Sequence, residues 1–377
     1  MFKLLSHDAS GLLIAAAVAL LALALHEAGA PPALLWLLVA LAAALAAGAG
    51  HHLLQVRRVL HQYPPRGRMV DVGGFSLHLL AEGEARQGLP TLVWFAGGHA
   101  SGLPVAFLHR ALRGHTRSIL IDRAGTGWSD VGPFPRTTAG EAAECWRALQ
   151  SANEAGPFIL VGHSFGGLLA ANMARRHPEL VQSVVLLDAT PTDTILYGPR
   201  LGNLKAMSRE ALLTGLARLV GVHAAPWERK QREDPRWAKL MGVIDAVLGD
   251  DGKAAQALGV LARPHFAGAS IYRELTPEGM AACAWETAVY EGDLDPLLVL
   301  LVAPGESPEI AQLPEAQAAP SAEAARMMRF YPHTRERYLS TSSRAERVIA
   351  PAGTGHNFPY EAPQFVIDVV MGLLDRR

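Results

Sequence analysis

Residues 161–167 read Val-Gly-His-Ser-Phe-Gly-Gly, a G-x-S-x-G pattern between an apolar run and a helix-forming one. A serine on such a strand-to-helix turn is held with its hydroxyl above the sheet edge, and Gly162 and Gly166 leave the backbone room to bend tightly. Ser164 is therefore a candidate nucleophile. A chain with 36 glycines can produce a Gly-rich turn without function. Context sets this turn apart: Pro157 to Val161 contains a short buried strand, and Leu168 to Arg176 is helix-forming and ends at His177-Pro178. A serine hydroxyl is a poor nucleophile until a base takes its proton. The expected base is His356, in the loop Pro351-Ala352-Gly353-Thr354-Gly355-His356-Asn357 after a short strand at Arg347 to Ala350. Position and a Gly-rich setting single it out among 15 histidines.

Acyl chemistry at such a serine also needs backbone N–H donors for the oxyanion and a carboxylate to hold the imidazole. One donor is expected at Phe165, directly after the serine. The second is expected in Ala96-Gly97-Gly98-His99, the loop after a strand at Thr91 to Phe95, with Gly98 preferred and Gly97 as the alternative. Two strand ends could supply the acid. One strand, Val184 to Leu187, ends at Asp188; another, Leu297 to Val302, is followed by Glu306 and Glu309 but by no Asp. Asp188 is the favoured acid and Glu306 its alternative, with Glu309 also in reach. A plain structural carboxylate capping a loop would read the same way as Asp188.

The elements that must position these residues alternate between strand and helix, which points to a mostly parallel sheet flanked by helices. The final helix presents Phe365, Val366, Val369, Val370, Leu373 and Leu374 on one face. Between Pro191 and Pro296 the strand pattern stops, and Leu201 to Val222, Trp237 to Leu248, Gly252 to Ala262 and Thr276 to Tyr290 read as helices. This insertion, about 191–296, is expected to form a lid over the ligand-binding edge of the sheet. Leu212, Leu213, Leu216, Leu219 and Val220 could line an acyl pocket or simply pack the lid down. A further helix is expected over Ala322 to Ser340.

The N-terminus has a different character. Gly11 to Leu25 and Pro31 to Gly50 are uncharged and almost wholly apolar, joined by His26-Glu27-Ala28-Gly29-Ala30. A bilayer span takes about 20 apolar residues, so residues 1–58 read as a transmembrane helical hairpin with a juxtamembrane segment. The alternative is a cleaved signal peptide, with Ala28-Gly29-Ala30 as its cleavage site, followed by one anchor. Lys3 precedes the first span and Arg57, Arg58, Arg66 and Arg68 follow the second, so the hairpin reading places both ends and the catalytic domain in the cytoplasm. His51 to Arg68 reads as a short helix and a Pro64-Pro65 turn. Every residue assigned to chemistry lies after Arg66, so a chain starting there is expected to keep the machinery.

Taken together, these blocks resemble the α/β-hydrolase superfamily, and within it a group of membrane-anchored bacterial-type hydrolases. The resemblance rests on Gly67-Arg68-Met69-Val70-Asp71-Val72-Gly73-Gly74, on Asp122-Arg123-Ala124-Gly125-Thr126-Gly127-Trp128-Ser129-Asp130, on the Ser164 turn and on Gly355-His356. It covers most of residues 66–377. It implies an α/β-hydrolase fold with a helical lid. The missing Asp after the late strand departs from the commoner pattern, although some lipases of the superfamily carry their acid after the earlier strand. Haloalkane dehalogenases and epoxide hydrolases on this fold use Asp at the turn. A serine there implies an acyl-enzyme, and hence a carboxylic ester hydrolase (esterase or lipase), with an amidase or aminopeptidase as the alternative within enzymes. A ligand-binding receptor with little turnover is the alternative outside them. No cofactor is implied, and the expected partners are a small-molecule or lipid-like ester and the membrane.

Composition and motif spacing exclude several other classes. A net charge of −1 argues against a general binder of nucleic acid. The mixed-sign run Trp227 to Asp234 reads as a solvated helix face. Cys145 and Cys283 lie far apart and suggest no disulfide framework. His26-Glu27 begins a zinc motif, but Ala30 stands where its second histidine would be. Gly125-Thr-Gly127 is followed by Trp-Ser-Asp and is not a dinucleotide fingerprint, and no phosphate loop is present.

Overall fold

The computed structural model describes residues 2–190, 200–223, 233, 235–276, 279, 296–304 and 336–376. An eight-stranded sheet forms the centre: β1 (Arg68–Asp71), β2 (Ser76–Glu82), β3 (Thr91–Phe95), β4 (Ser118–Ile121), β5 (Phe158–His163), β6 (Val181–Leu187), β7 (Leu297–Val302) and β8 (Ala345–Ile349), in the order β1-β2-β4-β3-β5-β6-β7-β8. The pairs β1/β2 and β2/β4 are antiparallel. Every pair from β4/β3 to β7/β8 is parallel.

Parallel strands covered on both faces must be mostly apolar, and Leu92–Phe95 of β3, Phe158–Val161 of β5, Val184–Leu187 of β6 and all of β7 are. Alternate residues serve opposite layers. Val93, Leu160, Val184, Leu186 and Leu300 pack with helices α5 (Thr138–Ser151) and α6 (Phe165–Arg176). Leu92, Trp94, Val161, Val185 and Leu301 pack with α4 (Ala106–Leu112) and the C-terminal α12 (Pro363–Leu374). Thr137 caps α5 by accepting from the Gly140 N–H at 3.0 Å. A short α11 (Phe358–Glu361) precedes α12.

Between β6 and β7 the described elements are helices: α7 (Arg200–Leu219), α8 (Pro235–Leu248), α9 (Asp250–Leu258) and α10 (Arg263–Glu274). Sequence reading assigned nothing to 263–275 and ended the preceding helix at Ala262. The structure instead stops that helix at Leu258 and starts a new one at Arg263, with Pro264 in its first turn, where a missing N–H costs nothing. The expected helices at 276–290 and 322–340, the Trp227–Asp234 run, Cys283, Glu306 and Glu309 fall wholly or largely outside the described residues.

The two apolar segments form helices α2 (Ser10–Glu27) and α3 (Pro32–Gln62), after a single turn α1 (Phe2–Leu5). The short Ala28–Pro31 link makes them antiparallel neighbours. α3 does not break after the apolar run, as the separate juxtamembrane helix would require. It continues to Gln62 because neither Pro nor Gly interrupts residues 51–63, and Pro64-Pro65 ends it. Both helices are long and apolar enough to cross a bilayer, and only 6% of the most apolar window of α3 is buried.

The hairpin also grips the helices above the sheet. Gly11 lies against the Leu219 carbonyl and Gly48 against the Val220 carbonyl, while Gly221, at φ +82°, has the Gly48 carbonyl 2.5 Å from where a Cβ would sit. Asp8 accepts from the Ala262 N–H at 2.8 Å and from His52 at 2.9 Å, and the other His52 nitrogen meets His223 at 3.0 Å. Phe2 packs on Phe134 and Phe266. Val56, Leu60 and Tyr63 pack with Leu103, Trp128, Leu258 and Leu261. The residues that seat the helices between β6 and β7 therefore extend well upstream of Arg66. A side chain at residue 48 has no space that a rotamer change could open, because the obstacle is backbone. We expect Gly48→Leu to cost about 1–3 kcal/mol or more, seen as a lower unfolding midpoint and faster trypsin cleavage within 200–223 than in the parent. An unchanged digestion pattern would mean that the hairpin does not hold these helices.

Candidate active site

Strand register brings the candidate residues together at the C-terminal ends of β3, β5, β6 and β8. Phe95 of β3 pairs with Gly162 of β5, and His163 of β5 pairs with Leu187 of β6. One residue further, the Ser164 N–H donates to the Leu187 carbonyl at 3.0 Å and the Thr190 N–H to the Ser164 carbonyl at 2.9 Å. The Asp188 N–H donates to Leu301 of β7 at 2.8 Å. Ser164 and Asp188 thus leave adjacent strands side by side.

Ser164 sits at φ 52°, ψ −120°, immediately before α6. That conformation is unfavourable for a residue with a Cβ and is held by the surrounding structure. The turn closes because Gly162 lies against the Gly166 carbonyl, and Gly166 against the Phe95 carbonyl, where no side chain would fit. Asp188 is itself at φ 43° and fully buried.

His356 lies in the loop after β8, between two oxygens. Its Nε2 is 3.0 Å from the Ser164 Oγ and its Nδ1 2.6 Å from the Asp188 Oδ2. A carboxylate can only accept, so Nδ1 carries the hydrogen and Nε2 is left to accept from the serine. The second Asp188 oxygen faces the Ala303 N–H at 3.4 Å. An imidazole oriented in this way can take a hydroxyl proton as the oxygen attacks a carbonyl carbon. The His356 side chain remains 37% exposed, so the constellation opens outward.

Sequence reading missed three contacts around the site, two of which fix the histidine loop. The Gly355 N–H donates to Glu361 at 2.9 Å. The His163 Nε2 donates to the His356 carbonyl at 3.1 Å, with the two rings 5.0 Å apart. Tyr338 donates to the Thr190 carbonyl at 2.7 Å beside the serine turn. Glu361 stands five residues after His356, a local spacing that could have drawn attention; the other two depend on tertiary packing.

The loop after β3 lies over the serine. Gly97 is the nearer glycine: its Cβ position is 3.1 Å from the Ser164 Cβ, while Gly98, at φ +54°, faces the Tyr272 hydroxyl at 3.8 Å. Phe165 begins α6, so its N–H is one of those a helix start leaves unpaired. His99 does not line an open site. Its side chain is 1% exposed, 3.4 Å from Glu141, and burial holds its pKa well below the usual histidine range.

Beneath this loop lies a buried polar cluster. Arg136 bonds Glu144 at 2.6 and 2.8 Å and reaches Glu141 at 3.4 Å. Glu274 of α10 accepts from the Thr138 N–H at 3.1 Å and from its hydroxyl at 3.0 Å. Burial pushes the Glu274 carboxyl from 4.5 up to about 7, with the Thr138 bonds opposing. The unfolded chain loses this proton near 4.5 while the folded protein keeps it to about 7. The associated stability is therefore complete below about 4.5 and is lost as the pH rises through about 7. Glu274→Gln should flatten that part of a plot of unfolding midpoint against pH, by up to about 3 kcal/mol between pH 5 and 8. Parallel curves would remove Glu274 as the source.

A family model described as alpha/beta hydrolase fold matches residues 90–227. The solved structure of a thermophilic esterase from Thermogutta terrifontis superposes with a TM-score of 0.55 at 19% identity, covering 81% of this chain and 97% of that one. The fold is that of the α/β hydrolases. A 1-acylglycerol-3-phosphate O-acyltransferase of Arabidopsis thaliana is 40% identical over 114 residues, covering 28% of this chain and 26% of the relative. A 2-(acetamidomethylene)succinate hydrolase of Mesorhizobium japonicum is 32% identical over 124 residues, covering 33% of this chain and 43% of the relative. The chain thus spans less than half the length of these two relatives. Among the described residues, no group of three or more His, Cys, Asp or Glu side chains could hold a metal ion.

Proposed function

We propose that this protein is a membrane-anchored serine hydrolase that cleaves a carboxylic ester through an acyl-enzyme. The continuous hydrogen-bonded line from Ser164 through His356 to buried Asp188 carries the reading. In the proposed reaction, the Ser164 Oγ attacks the ester carbonyl while His356 Nε2 takes its proton. Asp188 holds Nδ1–H and stabilises the imidazolium. The Phe165 N–H and the Gly98 N–H, with Gly97 as the alternative donor, bind the oxyanion. Collapse of the tetrahedral intermediate breaks the ester C–O bond, and His356 returns the proton to the leaving alkoxide. A water activated by the same imidazole then hydrolyses the acyl-serine.

The similarities support acyl transfer in general: one relative is named an acyltransferase, another a hydrolase, and the solved neighbour an esterase. An amidase would use the same residues with an amine as leaving group. The α2–α3 hairpin supports membrane attachment, because its apolar side chains stay outward: Leu20 is 65%, Leu37 65% and Trp36 73% exposed. Contiguous apolar surface of this kind belongs in lipid or against a partner. The placement of Lys3, Arg57 and Arg58 supports a cytoplasmic catalytic domain.

The test is a panel of p-nitrophenyl esters of rising acyl length against the matching p-nitroanilides, on the full chain in detergent. Turnover of esters at least tenfold faster than of anilides is expected. Preferential anilide cleavage would give the amidase reading, and binding without turnover the receptor reading.

A further inference from the structure

The buried Arg123 guanidinium touches both walls of the proposed oxyanion site. It stands just past the end of β4, in the Asp122-Arg123-Ala124-Gly125 segment, and is 2% exposed. Its Nη2 donates to the Gly98 carbonyl at 2.5 Å and to the Ala100 carbonyl at 2.9 Å, while Nε faces the Ala100 carbonyl at 3.3 Å. Its Cζ lies 5.3 Å over the ring of Phe165. The remaining nitrogen, Nη1, is 3.6 Å from fully buried Glu141. Glu141 is also approached by Arg136 at 3.4 Å and by His99 at 3.4 Å.

Burying a guanidinium is costly unless its surroundings repay it. Here its donors go mostly to two peptide carbonyls of one Gly-rich loop. Gly97 and Gly98 have no side chains to pin them, and Gly98 occupies the left-handed region at φ +54°. Such a loop has more accessible backbone states than any other composition. An oxyanion site works only if its N–H groups are already aimed when charge develops. The planar fork of Arg123 does not touch the 97–98 peptide that carries the Gly98 N–H; it anchors the peptide that follows, and so limits how far Gly98 can turn its own N–H away. It fixes the 98–99 and 100–101 peptides together, and the Tyr272 hydroxyl of α10 stands 3.8 Å from where a Gly98 Cβ would sit.

We infer that Arg123 is the positioning residue of the oxyanion loop: by bracing the Gly98 and Ala100 carbonyls against the Phe165 side of the serine turn, it holds the loop N–H groups in the orientation that receives the oxyanion. This rests on the serine-hydrolase reading. It assigns Arg123 no direct contact with substrate, and it gives the buried Arg123–Glu141–Arg136 cluster a purpose beyond packing.

The experiment compares Arg123→Met and Arg123→Lys with the parent, as the full chain in detergent, on one p-nitrophenyl ester. An alkyl trifluoromethyl ketone, which adds to the serine as a tetrahedral hemiketal, reports oxyanion binding separately. For Arg123→Met, kcat is expected to fall about 10²–10³-fold, the cost of losing one oxyanion donor, with KM within about threefold. The ketone should bind more weakly by a similar factor. Arg123→Lys should recover part of both losses, because an ammonium keeps the buried charge but cannot span two carbonyls as a fork does. If Arg123→Met fails to fold, Arg123→Lys alone decides, since ketone affinity must fall with kcat. A folded variant with normal kcat overturns the inference, as does one whose kcat falls while ketone affinity is untouched. Ser164→Ala, run in parallel, separates the two levels: if it still turns over, the serine-hydrolase reading itself is wrong. If it is inactive while Arg123→Met is normal, only the role of Arg123 is lost.

Discussion

Ser164→Ala should abolish ester turnover and covalent labelling by a fluorophosphonate probe, while the protein remains folded. The expected fall in kcat is about 10⁴–10⁶-fold, the range seen when a nucleophile is removed from such a constellation. The size follows from what is lost. Without Oγ there is no acyl-serine, and the remaining groups can only polarise a carbonyl toward bulk water. The fold should tolerate the change. Alanine keeps the Cβ, and hence the same backbone strain at φ 52° as serine, and it keeps the backbone bonds to Leu187 and Thr190. Unfolding midpoints should therefore stay close to the parent. A folded Ser164→Ala protein with undiminished labelling would place the reactive group elsewhere.

The second large effect is expected at Asp188. Asp188→Asn removes the charge facing His356 Nδ1 at 2.6 Å while keeping nearly the same shape in a fully buried site. An amide can present its NH₂ to the ring, which draws the hydrogen onto Nε2 and leaves no lone pair for the serine. It also cannot stabilise the imidazolium. A fall of about 10⁴ in kcat is expected, with little change in KM. Glu306→Gln and Glu309→Gln should each stay within about threefold of the parent. A severe Glu306→Gln with a mild Asp188→Asn would transfer the acid to the β7 end.

These expectations show where sequence was sufficient and where it was not. The Ser164 turn is legible because its geometry is local: two glycines, a strand before and a helix after. His356 is legible from its place between the last strand and the last helix. The carboxylate is harder, because whether the end of β6 or of β7 lies beside the serine depends on strand order, which no local spacing encodes. Register settles where Asp188 sits, since His163 pairs with Leu187 and the next residues face each other.

Helix α10 was hidden by Pro264, which reads as a breaker but stands in the first turn. The docking of the hairpin was hidden because Gly11 and Gly48 look like neutral members of apolar spans. Their purpose appears only when the Leu219–Gly221 backbone lies against them. Arg123 falls between these cases. Its segment was recognisable, but nothing in the segment says that the side chain turns back to a loop more than twenty residues earlier.

The central claim, that chemistry passes through a covalent adduct on Ser164, is tested most directly by mass spectrometry of the labelled protein. The full chain is inactivated with a fluorophosphonate, digested with trypsin and mapped. The fragment from Ala148 to Arg175 carries two serines, Ser151 and Ser164. The account predicts one phosphonyl group per chain, on Ser164, appearing in step with loss of ester turnover. An adduct on Ser151 or on another fragment, or complete inactivation with Ser164 unmodified, would contradict it.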